Sequence, residues 1–121
     1  MPRNVLDESQ IHPAIRDQVA GYRSARVQEV QAAVAQHPVV VVGMAQNPYP
    51  RKALKALQAA GVPCRYLSYG SYFSDWRGRL ALKMWTGWPT LPMVFVKGML
   101  VGGADDLAKL IASGELKRLL A

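Results

Sequence analysis

The sequence predicts one α/β domain: a four-stranded mixed sheet flanked by helices, with an extra helical segment at the N-terminus. The run Val39–Val42 is apolar at every position, which is typical of a parallel strand buried on both faces. After Gly87, two short apolar runs flank Lys97-Gly98, which indicates an antiparallel hairpin with a tight turn. At 121 residues the chain is long enough for one packed core and too short for two.

The N-terminal segment, residues 1–26, is predicted as an arm and a helix that precede the main domain, residues 27–121. Residues 1–10 are mostly polar and are expected to form a loose arm. Two sets of helically spaced apolar residues follow and predict two helices, or one kinked helix, before the first strand. The sets are Ile11, Ile15, Val19, Tyr22 and then Val27, Val30, Val34. Ser24 is the expected N-cap of the second helix.

A helix from about Pro50 to Ala60 is predicted directly after the first strand. Proline suits a first helical position, and Gly61 suits the residue that ends a helix. Residues 63–69 then form a second strand, because they are rich in β-forming side chains.

The next predicted helix begins at Ser74 or Asp75, either of which can cap it. Trp76, Leu80 and Met84 follow at positions i, i+4 and i+8, the spacing of one apolar helix face.

The last third of the chain supplies the antiparallel half of the sheet and a closing helix. The hairpin strands are Met93–Val96 and Met99–Val101, and Asp105 or Asp106 caps the helix after them. A parallel half joined to an antiparallel half makes a four-stranded sheet covered on both faces.

The formal charge of +7 is unevenly spread along the chain. No acidic residue lies between Glu29 and Asp75, where Arg51, Lys52 and Lys55 occur, so this region favours anionic ligands or acidic partners. Nucleic-acid binding is not favoured, because the basic residues are not interleaved with aromatic residues in a recognisable motif. The apolar runs are far shorter than a membrane span and no leader sequence opens the chain, so we expect a soluble, cytoplasmic protein.

Cysteine and histidine are scarce. The one cysteine, Cys64, excludes an intramolecular disulfide, and two histidines are too few for a dense metal-ligand cluster. A lone cysteine at the start of a strand is expected to act as a small, buried apolar side chain. His12 and His37 each precede a proline and are interpreted as helix-boundary residues.

Three motifs resemble the glutaredoxin family over residues 27–121: Pro48-Tyr49, Trp88-Pro89-Thr90-Leu91-Pro92 and Gly102-Gly103-Ala104-Asp105-Asp106. The resemblance implies the thioredoxin fold. The family's active-site tetrapeptide, Cys-Pro-Tyr-Cys or Cys-Gly-Phe-Ser, begins a helix at this strand-to-helix turn.

Asn47 and Pro50 stand at the two ends of that tetrapeptide in this sequence. The amide of Asn47 is neither a useful nucleophile nor ionisable, and it is a good helix cap. Pro50 offers no side-chain donor and excludes a resolving role. We therefore predict that thiol–disulfide oxidoreductase activity is absent. Exposed backbone N–H groups at this helix start could still bind an anion such as a carboxylate.

The resemblance also implies a groove for glutathione. Its residues are Tyr49, Lys83, Thr90, Leu91, Pro92, Gly103, Ala104 and Asp105. In the family, the proline of this motif is cis, and the residue before it pairs through its backbone with the cysteinyl part of glutathione. The Gly-Gly-Ala-Asp element holds the γ-glutamyl end, and Lys83 matches the residue that pairs with the glycine carboxylate. The family's loop lysine has no match here, since Met44 lies about there.

Three functional hypotheses follow from these residues. The first is a module that binds glutathione, a peptide or a protein partner in the groove. The second is a glutathione-dependent redox protein or electron carrier that uses Cys64. The third is iron–sulfur carriage, which requires a thiolate where Asn47 stands, so no cluster is expected.

Overall fold

The computed structural model describes residues 3–121 and contains the predicted mixed sheet. Its strands are β1 (Val39–Gly43), β2 (Arg65–Ser68), β3 (Met93–Val96) and β4 (Met99–Gly102). They lie in the order β2-β1-β3-β4, with β1 parallel to β2 and the other pairs antiparallel. Met1 and Pro2, part of the predicted arm, lie outside the described residues.

Residues 3–121 form six α-helices, of which all but the first contribute residues to the cores on the two faces of the sheet. The helices are α1 (Arg16–Gly21), α2 (Ser24–Gln36), α3 (Pro48–Ala59), α4 (Trp76–Thr86), α5 (Ala104–Ala112) and α6 (Glu115–Leu120). Two short 3₁₀ turns, Glu8–Gln10 and Pro13–Ile15, precede α1, within the stretch that begins as the predicted arm.

Strand β1 is buried throughout because helices cover both faces of the sheet. Val40 and Val42 belong to a core shared with α2 and α4, whereas Val39 and Val41 belong to a second core shared with α3, α5 and α6. This alternation follows from the two-residue period of a strand. It confirms the interpretation of the all-apolar run Val39–Val42.

Three helix starts differ from the prediction. Helix α5 begins at Ala104 with Gly103 as its N-cap residue, so Asp105 and Asp106 lie in its first turn and not at the predicted cap position. Ser24 is the first residue of α2 and not its cap; the preceding Arg23 adopts a left-handed conformation (φ 45°) that separates α1 from α2. Helix α3 begins at Pro48, two residues earlier than predicted, because Asn47 caps it. Proline at the first and third helical positions costs α3 nothing, since these N–H groups have no partner within a helix.

The apolar stripe predicted on α4 is not its buried face. Trp76, Leu80 and Met84 are all exposed, and the buried residues are Gly78, Arg79, Ala81 and Leu82. Small residues are needed there because α4 packs closely against α2: a Cβ added at Gly78 would lie 3.0 Å from Arg26 Cγ. Spacing alone cannot tell which apolar set of such a helix is buried, because α4 is apolar on both sides.

A polar network holds the loop between β2 and α4. The buried Arg79 donates through Nη1 to the carbonyl oxygens of Tyr69 (3.0 Å) and Ser74 (2.5 Å). The Tyr69 hydroxyl donates to Glu29 Oε2 at 2.9 Å, and burial together with this carboxylate raises the pKa of Tyr69. Arg26 on α2 pairs with Asp75 at 3.1 Å. The loop is thus tied to both helices that flank it.

We predict that Gly43→Ala destabilises the protein, because Gly43 lies directly beneath the start of α3. A Cβ at this position would stand 2.7 Å from Pro50 Cβ and 2.9 Å from the Tyr66 hydroxyl. Such overpacking costs about 1–3 kcal/mol of unfolding free energy, measurable by urea denaturation. Gly21→Ala is the matched control: nothing lies within 4 Å of a Cβ at Gly21, and stability should not fall. Equal midpoints for wild type and Gly43→Ala would contradict the prediction.

Candidate functional site

A cleft of about 560 Å³ opens at the end of the sheet where β1 leads into α3. Its other wall is built by the loop before β3 and by the start of α5. The lining residues are Met44, Asn47, Pro48, Tyr49, Tyr72, Lys83, Trp88, Pro89, Thr90, Leu91, Pro92, Gly103, Ala104, Asp105 and Asp106.

The start of α3 contributes Asn47 and two prolines to this cleft. Asn47 Oδ1 accepts a hydrogen bond from the N–H of Tyr49 at 3.0 Å. Pro48 and Pro50 have no N–H, and Arg51 is the first residue that can bond back to the Asn47 carbonyl within the helix. None of the first three helical residues therefore offers a free backbone N–H. The expectation that this helix start could bind an anion is wrong for that reason.

The Asn47 side chain also reaches the opposite loop. Its Nδ2 donates to the carbonyl oxygen of Leu91 at 3.4 Å, a long hydrogen bond. The Leu91-Pro92 peptide bond is cis, as the family resemblance implied, and Leu91 is buried. One carboxamide thus caps α3 and contacts the loop that faces it.

The start of α5 differs from that of α3 because its backbone donors stay available. The first backbone hydrogen bond of α5 runs from Leu107 N–H to the Gly103 carbonyl at 3.0 Å. The N–H groups of Ala104, Asp105 and Asp106 precede that bond, and all three residues line the cleft. The Asp106 carboxylate accepts a hydrogen bond from the Gly103 N–H at 3.0 Å, so it stabilises the turn that leads into α5.

Gly102 lets the chain turn sharply into α5. Its φ of +115° is strained for any residue with a side chain, and a Cβ there would stand 2.6 Å from Asp106 Oδ2. The first glycine of the Gly-Gly element is therefore needed by the backbone, and only Gly103 borders the cleft.

Opposite charges mark two parts of the cleft. Lys83, half-buried on α4, supplies a cation, and the exposed Asp105 on α5 supplies a carboxylate. Beside them, the α5 N–H groups carry the positive end of the helix dipole. The arrangement suits an extended ligand that carries two carboxylates, one for Lys83 and one for the start of α5, and an amine for Asp105.

The structure brings together every residue of the predicted groove. Tyr49, Lys83, Thr90, Leu91, Pro92, Gly103, Ala104 and Asp105 all line the cleft, with Asn47. Pro50 does not, because it lies on the buried side of α3, against Gly43. Sequence analysis missed Tyr72, which lies in the loop before α4 and belongs to no motif. The indole N–H of Trp88 is buried and has no hydrogen-bond partner within residues 3–121.

Cys64 lies outside the cleft. It precedes β2 and packs, half-buried, against the core that α3, α5 and α6 share. Burial raises the pKa of its thiol, which disfavours the thiolate. The neighbouring Arg65 is exposed and donates to the Tyr66 carbonyl. The structure therefore agrees with the interpretation of Cys64 as a packing residue.

Residues 3–121 contain no group of three or more histidine, cysteine, aspartate or glutamate side chains placed to hold a metal ion. The helices in this part of the chain include none with the length and hydropathy needed to cross a membrane.

Comparison with known proteins finds similar sequences, although no family model matches. The chain is 49% identical over 98 residues to a "Glutaredoxin-like protein" of Dictyostelium discoideum, covering 81% of this chain and 80% of that protein. It is 34% identical over 99 residues to monothiol glutaredoxin-S11 of Oryza sativa, covering 76% of this chain. Because it spans only 19% of the rice protein, the match concerns one part of that protein.

Solved structures with the same architecture are also found. Oxidized glutaredoxin 2 from Chlamydomonas reinhardtii superposes with a TM-score of 0.69 at 31% identity, covering 81% of this chain and 92% of the other. A buckwheat glutaredoxin–glutathione complex superposes with a TM-score of 0.69 at 25% identity, covering 83% and 91%. The sheet and its flanking helices thus form a thioredoxin-like fold.

We predict that a cysteine placed at position 47 forms a thiolate more readily once Pro50 is also replaced. In the background Cys64→Ser, Asn47→Cys leaves only the Tyr49 N–H to stabilise a thiolate, whereas Pro50→Ser restores a second backbone donor. The thiol pKa of the double variant should therefore be lower by about one pH unit or more. Thiolate absorbance against pH measures the thiol pKa with Pro50 and with Ser at position 50. Equal pKa values would contradict the inference that Pro50 removes a backbone donor that could stabilise the thiolate.

Proposed function

We propose that this chain, which belongs to the glutaredoxin family, binds glutathione in its cleft and does not carry out thiol–disulfide exchange. The observation that carries the proposal is the start of α3, where Asn47 stands at the helix cap and Pro48 and Pro50 occupy the first turn. Exchange needs a sulfur nucleophile held as thiolate. This turn provides neither the sulfur nor free N–H groups to stabilise its charge.

The charges around the cleft support glutathione as the ligand. Glutathione carries a glycine carboxylate at one end and an α-carboxylate with an amine at the other. Lys83 matches the first group, Asp105 matches the amine, and the N–H groups at the start of α5 match the second carboxylate. Leu91 offers its backbone to the peptide between them. The solved buckwheat relative is a glutathione complex, which agrees with this assignment.

Binding without exchange makes the cleft a recognition site. A bound glutathione would meet the neutral carboxamide of Asn47 at the position where the family has its nucleophile. No mixed disulfide with the protein forms there, because the turn contains no sulfur. An iron–sulfur cluster is not expected at this turn either, since its protein ligand in such proteins is a cysteine thiolate.

A redox role for Cys64 is the less favoured alternative. Its thiol packs against the core that α3, α5 and α6 share, away from the cleft-lining residues, and burial opposes its ionisation. Attack on a disulfide bound in the cleft would require the thiol to leave this core.

We predict that glutathione binding depends on Lys83. Isothermal titration should show saturable binding to wild type, and Lys83→Ala should weaken it about tenfold, since a charge-assisted hydrogen bond is lost. Lys97→Ala removes an exposed cation from the β3–β4 turn and serves as the control. No heat at millimolar glutathione, or equal affinity for wild type and Lys83→Ala, would contradict the prediction.

We also predict that the purified protein does not reduce hydroxyethyl disulfide with glutathione. The expected rate equals that of the protein-free reaction, because no thiolate faces the cleft. Cys64→Ser should behave in the same way. Turnover by wild type that Cys64→Ser abolishes would favour a redox role for Cys64. Turnover that survives this substitution would refute both that role and the proposed absence of thiol–disulfide exchange.

A further inference from the structure

A row of apolar side chains lies in solvent beside the cleft. It consists of Tyr72 and Phe73 in the loop before α4 and of Trp76, Leu80 and Met84 on α4. We name these five residues the aromatic face. Phe73 is 90% exposed and Trp76 is 50% exposed, which is unusual for side chains of this size.

The helical part of the aromatic face forms one continuous surface. At 3.6 residues per turn, Trp76, Leu80 and Met84 share an arc of the helix with Arg77 and Lys83. The opposite side of α4 is buried against α2 and the sheet. The arc therefore carries three apolar and two cationic side chains and no acidic one.

The loop that carries Tyr72 and Phe73 is braced. Arg79 donates to the carbonyl oxygens at Tyr69 and Ser74, and Ser71 N–H donates to the Ser74 hydroxyl at 3.0 Å. The aromatic rings are thus displayed from a fixed backbone. A preorganised surface loses less conformational entropy when a partner binds.

The charges on the α4 arc are of one sign, because Arg77 and Lys83 are its charged residues. Asp75, just before α4, pairs with Arg26 at 3.1 Å between Nε and Oδ2, and Arg26 also pairs with Glu29 at 2.9 Å. Asp105 and Asp106 lie at the start of α5, on another part of the cleft lining. Arg77 lies over the Trp76 ring at 4.4 Å from its centroid, so a cation and an aromatic side chain are presented together.

From this combination we propose that the aromatic face is a docking surface for a protein segment that carries acidic residues next to apolar anchors. Tryptophan, tyrosine, phenylalanine, methionine and arginine are the residues enriched at protein interfaces. The cations supply attraction to an acidic partner and select its orientation. Leu80 and Met84 add aliphatic area, which serves a protein partner better than it serves stacked bases.

The proposed surface continues into the cleft, because Tyr72 and Lys83 also line it. A docked segment could therefore extend towards Leu91. The docking proposal does not depend on glutathione binding, since Phe73, Trp76 and Arg77 are not cleft-lining residues.

Selection from a library of displayed random peptides tests the proposal directly. The full-length protein is the target, and enriched peptides are synthesised and measured by fluorescence anisotropy. We expect acidic peptides with aromatic or aliphatic residues, whose affinity falls about tenfold in both Trp76→Ala and Arg77→Glu. Met99→Ala and Lys97→Glu, which change an exposed methionine and a lysine at the β3–β4 hairpin, should bind as wild type does.

The same variants decide against the proposal in defined ways. No enrichment, enrichment without acidic residues, or equal binding by Trp76→Ala and wild type would each overturn it. Binding to phosphatidylglycerol vesicles or to oligothymidine that is lost in these variants, without such peptides, would assign the surface to another class of partner. Circular dichroism and glutathione titration check that the variants remain folded, and Phe73→Ser replaces Trp76→Ala if that variant does not.

Discussion

The packing of α3 onto the end of β1 is the constraint on which the rest of the cleft depends. Pro50 is buried against Gly43, so the first turn of α3 lies close to the sheet. The Asn47 side chain makes two hydrogen bonds at this turn. Its Oδ1 accepts from the Tyr49 N–H, and its Nδ2 donates to the Leu91 carbonyl oxygen. The Asn47 side chain therefore contacts both α3 and the loop before β3, which form two walls of the cleft.

Two helices begin at this cleft and present opposite chemistry to it. The start of α3 has no backbone donor left, because proline and the Asn47 cap remove all three. The start of α5 keeps its donors, because its cap is made by Asp106 on the Gly103 N–H, one residue before the helix. An anionic ligand group therefore gains from the dipole of α5 and much less from that of α3. The two helix starts therefore differ in the number of backbone donors that they can offer to a ligand in the cleft.

Sequence reasoning predicted the sheet and the groove well because both depend on local signals. The all-apolar run Val39–Val42 indicates a strand buried on both faces. The groove motifs contain glycine and proline at positions where the backbone conformation requires them. Sequence reasoning did not predict that Pro48, Pro50 and Asn47 together leave no free backbone N–H in the first turn of α3. The chemistry of each residue alone was known from the sequence. Sequence reasoning also took Trp76, Leu80 and Met84 as an apolar helix face without the means to tell which face α2 covers. That choice depends on the small residues Gly78 and Ala81, which have no spacing signal of their own.

The proposed ligand and the proposed docked segment compete where both use Lys83, which lines the cleft and lies on the α4 arc. One lysine can neutralise one carboxylate fully but not two. An acidic segment that takes Lys83 would weaken binding of a carboxylate ligand, and by reciprocity the ligand would weaken docking by the same factor. A segment anchored on Phe73, Trp76 and Arg77 leaves Lys83 free, and the two binding events are then independent. The presence or absence of this negative coupling therefore reports whether the docked segment uses Lys83.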